Sequence, residues 1–271
     1  LTGNRTGIDI NQSDNNTINN NLIYFNRSGM LLRNACLSNV VKENNISNNW
    51  TMGVLWLNAG TETATGTQFF NNKIDSNWYV QIENRSVTGG VKNFSANWYG
   101  TNAPSVVNTN GSEPGYEAII PILYGGTSTP PGGMPDIRGA GMSDVDFTPW
   151  LDAGMDTDVD NGTGTLGFQG SFAALHVDDD YAQTGSTGRV QEGHDLLTAA
   201  GTLHVHAGTY SETFTASKDL TATGYSNPTI QNVTMNGAGK TLTVGGPFGI
   251  SGALTMTDGL IATTSTNTIT L

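Results

Sequence analysis

Between Asn21 and Asn97 an apolar residue recurs in fixed phase with polar ones, in the order polar, any, apolar, any, any, Asn. The phrase occurs at Asn21, Ile23 and Asn26, at Asn44, Ile46 and Asn49, at Asn72, Ile74 and Asn77, and at Lys92, Phe94 and Asn97, where the first position departs from Asn. The closing asparagines are 23, 28 and 20 residues apart, and a repeat of that period decides the architecture before any local propensity is weighed. One coil of a parallel β-solenoid has a length of this order. Each coil is predicted to send its apolar residue inward from a short strand and to turn at Asn, whose side chain bonds nearby backbone and tolerates the left-handed conformation. Stacking then aligns Asn26, Asn49, Asn77 and Asn97 as a ladder. Low-complexity disorder is the other reading of an Asn-rich segment, but it does not keep Ile and Phe in phase with Asn through four copies.

Flanking patterns extend this picture. Gly7, Ile8, Asp9 and Ile10 alternate as a strand, and further coils open at Gly29–Leu32 and Gly53–Leu57, with the polar stretch Gly60–Gly66 as a loop leaving one side. After Asn97 the phrase stops. Residues 101–170 hold seven of the nine prolines and read as an irregular connector with turns, with Ile119–Tyr124 as a lone strand. From 171 onward a short amphipathic helix is expected over 190–200, built on Val190, Leu196, Leu197 and Ala200 and stopped by Gly201. Thr- and Val-rich strands follow near Leu203–Val205, Thr241–Val244, Leu254–Met256, Leu260–Ala262 and Thr268–Leu271. The expected fold class is all-β, with coils of a right-handed parallel β-helix at both ends (1–100 and 171–271) and an acidic, Pro- and Gly-rich connector at 101–170.

Composition agrees with short strands and tight turns. Charged residues make up 13% of the chain and glycine contributes 35 residues, against a usual charged fraction of about 25%. The net charge of −12 argues against nucleic acid as a partner. Ten of those negative charges arise between Asp136 and Asp195, so they belong to the connector and to the segment directly after it. The lone Cys36 cannot form an internal disulfide and suits a buried, small apolar role. The sequence begins at Leu1 without a signal peptide or an apolar run long enough for membrane insertion, and reads as a mature or excised piece of a longer product. Eleven Asn-x-Ser/Thr sequons permit glycans, but an Asn-, Ser- and Thr-rich chain makes sequons by chance, and Asn26 and Asn49 already serve as corners.

Asn97, Trp98, Tyr99 and Gly100, followed by Asp146, Phe147, Thr148, Pro149 and Trp150, resemble the closing signature of large bacterial surface proteins built from right-handed parallel β-helices, within the pectate-lyase-like group. In that group an Asn-Trp-Trp-Gly phrase ends the coils; here Tyr99 replaces the second Trp. Arg189–Phe214, with the run Ala207, Gly208, Thr209, Tyr210, Ser211 and Glu212, resembles the opening of another such β-helix, as also found in pectin-methylesterase-like enzymes. The resemblance implies architecture and an extracellular or cell-surface location, not catalysis. It also implies a reversed order, with the closing phrase ahead of the opening one. The last strand, with Thr268, Ile269 and Leu271, then lacks a cap, and an uncapped coil is a template for another chain. The expected partner is a second copy, whose first coil (Gly7, Ile8, Ile10) stacks on that end. A head-to-tail contact of this kind builds filaments unless it closes into a ring. A tandem array cut in mid-helix gives the same continuity by covalent means.

The candidate chemistry is sparse. Asp156, Asp158 and Asp160, with Asn161 and Gly162, offer alternate carboxylates to one Ca²⁺ ion, although the glycine falls one position late for an EF-hand and the distal Glu is absent. Asp178, Asp179 and Asp180 bring three carboxylates in a row, but adjacent strand residues face opposite sides, and a solvated turn or cation site fits better than glycosidase-like catalysis. His204 and His206 alternate on a strand face, with no third metal ligand evident from spacing. Trp50, Trp78 and Trp98 each follow a closing Asn and form either a carbohydrate-binding strip or a packing ladder. The sequence therefore points to a structural protein, not an enzyme, that joins copies of itself head to tail as a filament subunit or adhesin. A carbohydrate-binding or polysaccharide-cleaving module is the alternative, and it requires exposed Trp78 and Trp98.

Overall fold

The computed structural model describes residues 1–57, 66–86, 90–107, 135–139, 145–158 and 164–271. The expected strand Ile119–Tyr124 and all of the loop Gly60–Gly66 except Gly66 lie outside these. The chain divides into two units; none of their limits falls at the expected boundary at 100, whereas one falls at the expected boundary between Gly170 and Ser171. The first comprises Leu1–Phe147, Ala153–Gly170 and Ala182–Thr184; the second comprises Thr148–Asp152, Ser171–Tyr181 and Gly185–Leu271. Both are built from stacked parallel strands, with one helix among the described residues.

In the first unit the apolar phase of the sequence becomes three parallel sheets that the chain visits in turn. Sheet A contains β1 (Thr6–Asn11), β4 (Ser28–Arg33), β7 (Met52–Trp56) and β10 (Val80–Asn84). Sheet B contains β2 (Thr17–Asn19), β5 (Val40–Lys42), β8 (Gln68–Phe70) and β11 (Lys92–Asn93), and sheet C contains β3 (Leu22–Tyr24), β6 (Asn45–Ser47) and β9 (Lys73–Asp75). The registers stack equivalent positions into buried columns. Met30, Val54 and Ile82 align in sheet A, Val41 and Phe69 in B, and Ile23, Ile46 and Ile74 in C. Each such side chain contributes roughly 1.5–3 kcal/mol by leaving water.

Asparagine ladders fix the corners at five-residue intervals. Asn16, Asn39 and Thr67 precede the sheet B strands, Asn21, Asn44 and Asn72 stand between B and C, and Asn26, Asn49 and Asn77 stand between C and A. In the last ladder each Oδ1 accepts from the backbone N and the Nδ2 of the Asn one coil earlier, at 3.1 and 3.2 Å from Asn26 to Asn49 and at 3.1 and 2.9 Å from Asn49 to Asn77. Asn49 Nδ2 also donates to the carbonyls of Ile23 and Ser47, so the buried amide is fully paired.

Two expectations about these corners are corrected. Asn97 does not join Asn26, Asn49 and Asn77, whose ladder runs on to Gln81 Oε1. It continues the neighbouring ladder instead, accepting from Asn72 N and Nδ2 at 2.8 and 2.9 Å. With corners five residues apart, the same phrase fits two successive corners. The stacking of Phe94 on Phe69, with ring centroids 4.4 Å apart, and the enclosure of Lys92 over the Trp56 ring select the earlier one. The left-handed conformation, moreover, belongs to the residue before each ladder position. Asn20, Phe25, Glu43, Asn48, Asn71, Ser76 and Ala96 have φ of 52–59°, and the ladder asparagines, whose amides bond along the stack, are not among the positive-φ residues.

The segment 101–170 is more than a set of turns. β12 (Val106–Val107) and β13 (Ile137–Arg138) continue sheet A in the order β10-β13-β12, and β14 (Val145–Asp146) continues sheet B beside β11. Glu83 and Arg138 meet across the β10–β13 register, 3.8 Å apart, with Arg85 Nε 3.2 Å from the same carboxylate.

The second unit is a nine-stranded sheet. Its first members are β15 (Trp150–Leu151), β16 (Ala174–Val177), β17 (Gly201–Val205), β18 (Thr209–Ala216) and β19 (Leu220–Gly224). They are followed by β20 (Thr229–Val244), β21 (Phe248–Ile250), β22 (Leu254–Ala262) and β23 (Ile269–Thr270). The pairs are parallel except that β15 runs antiparallel to β16. Inward columns such as Leu151, Leu175, Leu203 and Ala222 are buried. The helix α1 spans Arg189–Leu196, shorter than expected, with Val190 and Leu197 buried but Leu196 exposed. Its N-terminus has no cap of its own; the Glu212 carboxylate accepts from the backbone N of Val190 and of Gln191, both at 3.0 Å.

Candidate functional site

The apolar columns of the second unit remain closed until the last coil and open there. Phe214 and Val233 are followed by Leu254, Ala216 and Met235 by Met256, Leu220 and Leu242 by Ile261, and Phe248 by Ile269. The earlier members are at most 2% exposed, whereas Met256 is 51% exposed and Leu254, Ile261 and Ile269 are half-buried; beside them Leu260, paired with Thr241, and Leu271 are 57% and 80% exposed. Together with Thr263 and Thr268 these side chains line a hollow of about 450 Å³. The strand edge beside it is poorly defended: β22 has one charge, Asp258, and no proline.

At the other expected assembly end, β1 is the terminal strand of sheet A, and Ile8 and Ile10 of β1 are half-buried and buried respectively. Gly7 is required there for close packing. A Cβ at Gly7 would lie 2.6 Å from Ile23 Cγ2 and 2.7 Å from the Gly29 carbonyl, and Gly29 stands in the same relation to Ile46 and Gly53. Residues Leu1 and Gly3 already pair with Tyr24 and Phe25, so part of the β3 edge is occupied.

The other predicted sites fare differently. Of the expected Ca²⁺ loop, Asp160 lies outside the described residues. Asp156 Oδ1 accepts from the backbone N of Asp158 and of Gln169, and Asp158 Oδ2 from that of Thr165, so both carboxylates serve the loop itself. Asp178, Asp179 and Asp180 each bring an oxygen to within 4.8 Å of the others, against the expectation that they face opposite sides, because β16 ends at Val177 and the chain bends. Burial pushes the Asp178 carboxyl up, aided by Asp180 and Asp179. The three tryptophans form no exposed strip. Trp78 is buried with Met52, Leu55, Tyr79 and Val80, Trp50 packs against that cluster, and Trp98 follows Asn97 to a different corner, bridged to Lys73. Cys36 is buried, with its Sγ 3.3 Å from the Arg33 carbonyl.

Sequence spacing misses a cluster on the outward face of the second unit. Register places Trp150, His176 and His204 side by side on β15, β16 and β17. Asp152 Oδ1 lies 2.8 Å from His176 Nε2, His206 Nε2 lies 3.0 Å from His176 Nδ1, and Tyr225 Oη lies 3.2 Å from His204 Nδ1. Trp150 stacks on His176 at 5.2 Å, and His176 on His204 at 4.4 Å. Burial lowers the pKa of all three imidazoles; the charge of His176 adds for His204, and those of His176 and His204 add for His206, whose pKa falls to about 4. The one signal in the sequence is the repeated Leu-His-Val of Leu175–Val177 and Leu203–Val205.

Among the described residues no helix is long and apolar enough to cross a membrane. No protein-family model, curated protein or solved structure matches the chain.

Proposed function

We propose that the protein is a parallel β-solenoid of the right-handed β-helix kind with a structural task at or outside the cell surface. It acts as a filament subunit or adhesin that receives a further coil on the open rung of β22 and β23. The occupant is the first coil of a second copy, beginning at β1. The observation that carries this reading is the exposure of Met256 at the end of the Ala216 and Met235 column, which is buried in the earlier coils, with the exposed Leu260 and Leu271 lining the same hollow. Covering large apolar side chains recovers roughly 1.5–3 kcal/mol each. An added parallel strand would also pair the backbone groups of the open edge. Continuation of the same chain would satisfy this edge equally.

Electron microscopy of the purified 271-residue polypeptide over a concentration series is the experiment. Fibres of uniform width that grow with concentration, and that vanish in the Met256→Asp/Leu260→Asp variant, are the expected result. Dispersed particles at all concentrations, or fibres that persist in the variant, would overturn the proposal.

A further inference from the structure

The outward face of the second unit carries a cluster that head-to-tail assembly does not use. We propose that Asp152, His176 and His204 bind one divalent transition-metal ion of the Zn²⁺ type, which clamps the antiparallel β15 to β16 and β17.

Three observations support the site. One ligand atom from each residue lies within 4.8 Å of the other two. Zinc holds nitrogen at ~2.0–2.1 Å and carboxylate oxygen at ~2.0–2.2 Å, which sets neighbouring ligands ~3.3 Å apart. The 2.8 Å pair of Asp152 and His176 therefore opens by about half an ångström, and His204 closes in, as the ion replaces the proton between them.

The remaining ring nitrogens already have the partners that metal-bound histidines need. His176 Nδ1 faces His206 Nε2, and His204 Nδ1 faces the Tyr225 hydroxyl. Each can accept from an Nδ1–H and so supports the tautomer that presents Nε2 to the ion. In the bound state His176 Nδ1–H donates to His206, and His204 Nδ1–H donates to Tyr225. Stacking by Trp150 holds the His176 ring in place, and the inward column of Leu151, Leu175 and Leu203 gives the strands a rigid floor.

The donor set and its access then select the ion. Two imidazoles and one carboxylate suit zinc, copper or nickel, whereas Ca²⁺ and Mg²⁺ prefer oxygen ligands throughout. The Asp152 side chain is 36% exposed, which leaves a coordination position open to water. The three ligands come from the end of β15, from β16 and from β17, so one ion ties together the only antiparallel strand pair among the described residues of this unit and its parallel neighbour.

The test is calorimetric titration of the full chain, stripped with a chelator, with Zn²⁺ alone. It is repeated with Co²⁺ to read the ligand field in the visible spectrum and with Ca²⁺ as a control. One equivalent of Zn²⁺ is expected to bind and to raise the thermal midpoint, with no matching Ca²⁺ event. His204→Asn and Asp152→Asn should each weaken binding at least tenfold, and His206→Gln, which alters a supporting partner, should weaken it roughly tenfold. His194→Gln, away from the cluster, should leave it unchanged. Circular dichroism checks that each variant is folded, and Asp152→Asn, at a half-exposed position, stands in if His204→Asn is not. Absence of saturable Zn²⁺ binding, or wild-type affinity in both ligand variants, would overturn the assignment.

Discussion

Asn49 accepts both hydrogen bonds that Asn26 directs along the stack, from its backbone N at 3.1 Å and from its side-chain amide at 3.2 Å. Truncation of Asn49 strands the Asn26 backbone N and takes the amide donor from the carbonyls of Ile23 and Ser47 in a buried corner, while Asn26 Nδ2 keeps the carbonyls of Leu1 and Tyr24. Each unsatisfied buried group costs ~1–3 kcal/mol, so Asn49→Ala should destabilise the first unit by about 3 kcal/mol or more, measured by urea unfolding. A loss below about 1 kcal/mol, the least that one stranded group costs, would show that the ladder is dispensable.

Glu83 is fully buried between Arg85 and Arg138. Removing one partner of a buried pair leaves an uncompensated charge, at a cost of ~3–5 kcal/mol. Glu83→Ala is therefore expected to be far more damaging than Glu83→Leu combined with Arg138→Leu. A double-mutant cycle with additive effects would contradict this.

Phe25 holds φ of 52° while half exposed, in the place that Asn20, Asn48 and Asn71 fill at equivalent corners. A bulky side chain in the left-handed region costs ~1–2 kcal/mol, which Asn largely avoids. The edge contact with Tyr24, at 5.2 Å, is lost in exchange and is worth ~0.5 kcal/mol or more. Phe25→Asn should thus raise stability by about 0.5–1 kcal/mol, the difference between those two terms, seen as a higher denaturation midpoint.

His194 is buried on α1, its Nε2 accepts from Ser217 N at 3.2 Å, and burial lowers its pKa below the ordinary 6.5, against the opposing pull of Asp195. The unfolded chain therefore takes up the proton first, and stability contributed by the neutral ring is lost as pH falls below about 6.5. The other three histidines shift in the same direction, whereas Asp178 and Glu212, with raised pKa values, oppose the trend as they protonate at lower pH. Urea midpoints compared at about pH 7.5 and about pH 5.5, on either side of the ordinary imidazole pKa, should show a decline that His194→Gln reduces. An identical decline in the variant would remove His194 from the account.

How far the sequence can be read depends on whether neighbours in space are neighbours in phase. Ile23, Ile46 and Ile74 share a column because a constant phase survives stacking, and their asparagines are legible for the same reason. The phrase alone puts Phe94 and Asn97 one corner late, since a five-residue corner interval lets it occupy either of two sites, and packing of Phe94 on Phe69 and of Lys92 over Trp56 chooses. Trp98 moves with them. The cluster of Asp152, His176 and His204 is less accessible still. It depends on an antiparallel strand laid against a parallel pair, a register that local spacing does not encode.

The ladders also determine where the first unit can change length. Passage from sheet B to C and from C to A is locked at five residues by successive asparagines, yet the coils differ in length. The added residues fall between sheets A and B, after Trp56 and after Asn84. One corner is thus released from the metric that governs the others, and peptide inserted there leaves the comb of amides intact. A scaffold of this kind can diversify along a single seam, with each coil carrying its own sequence at that corner and none obliged to match its neighbour.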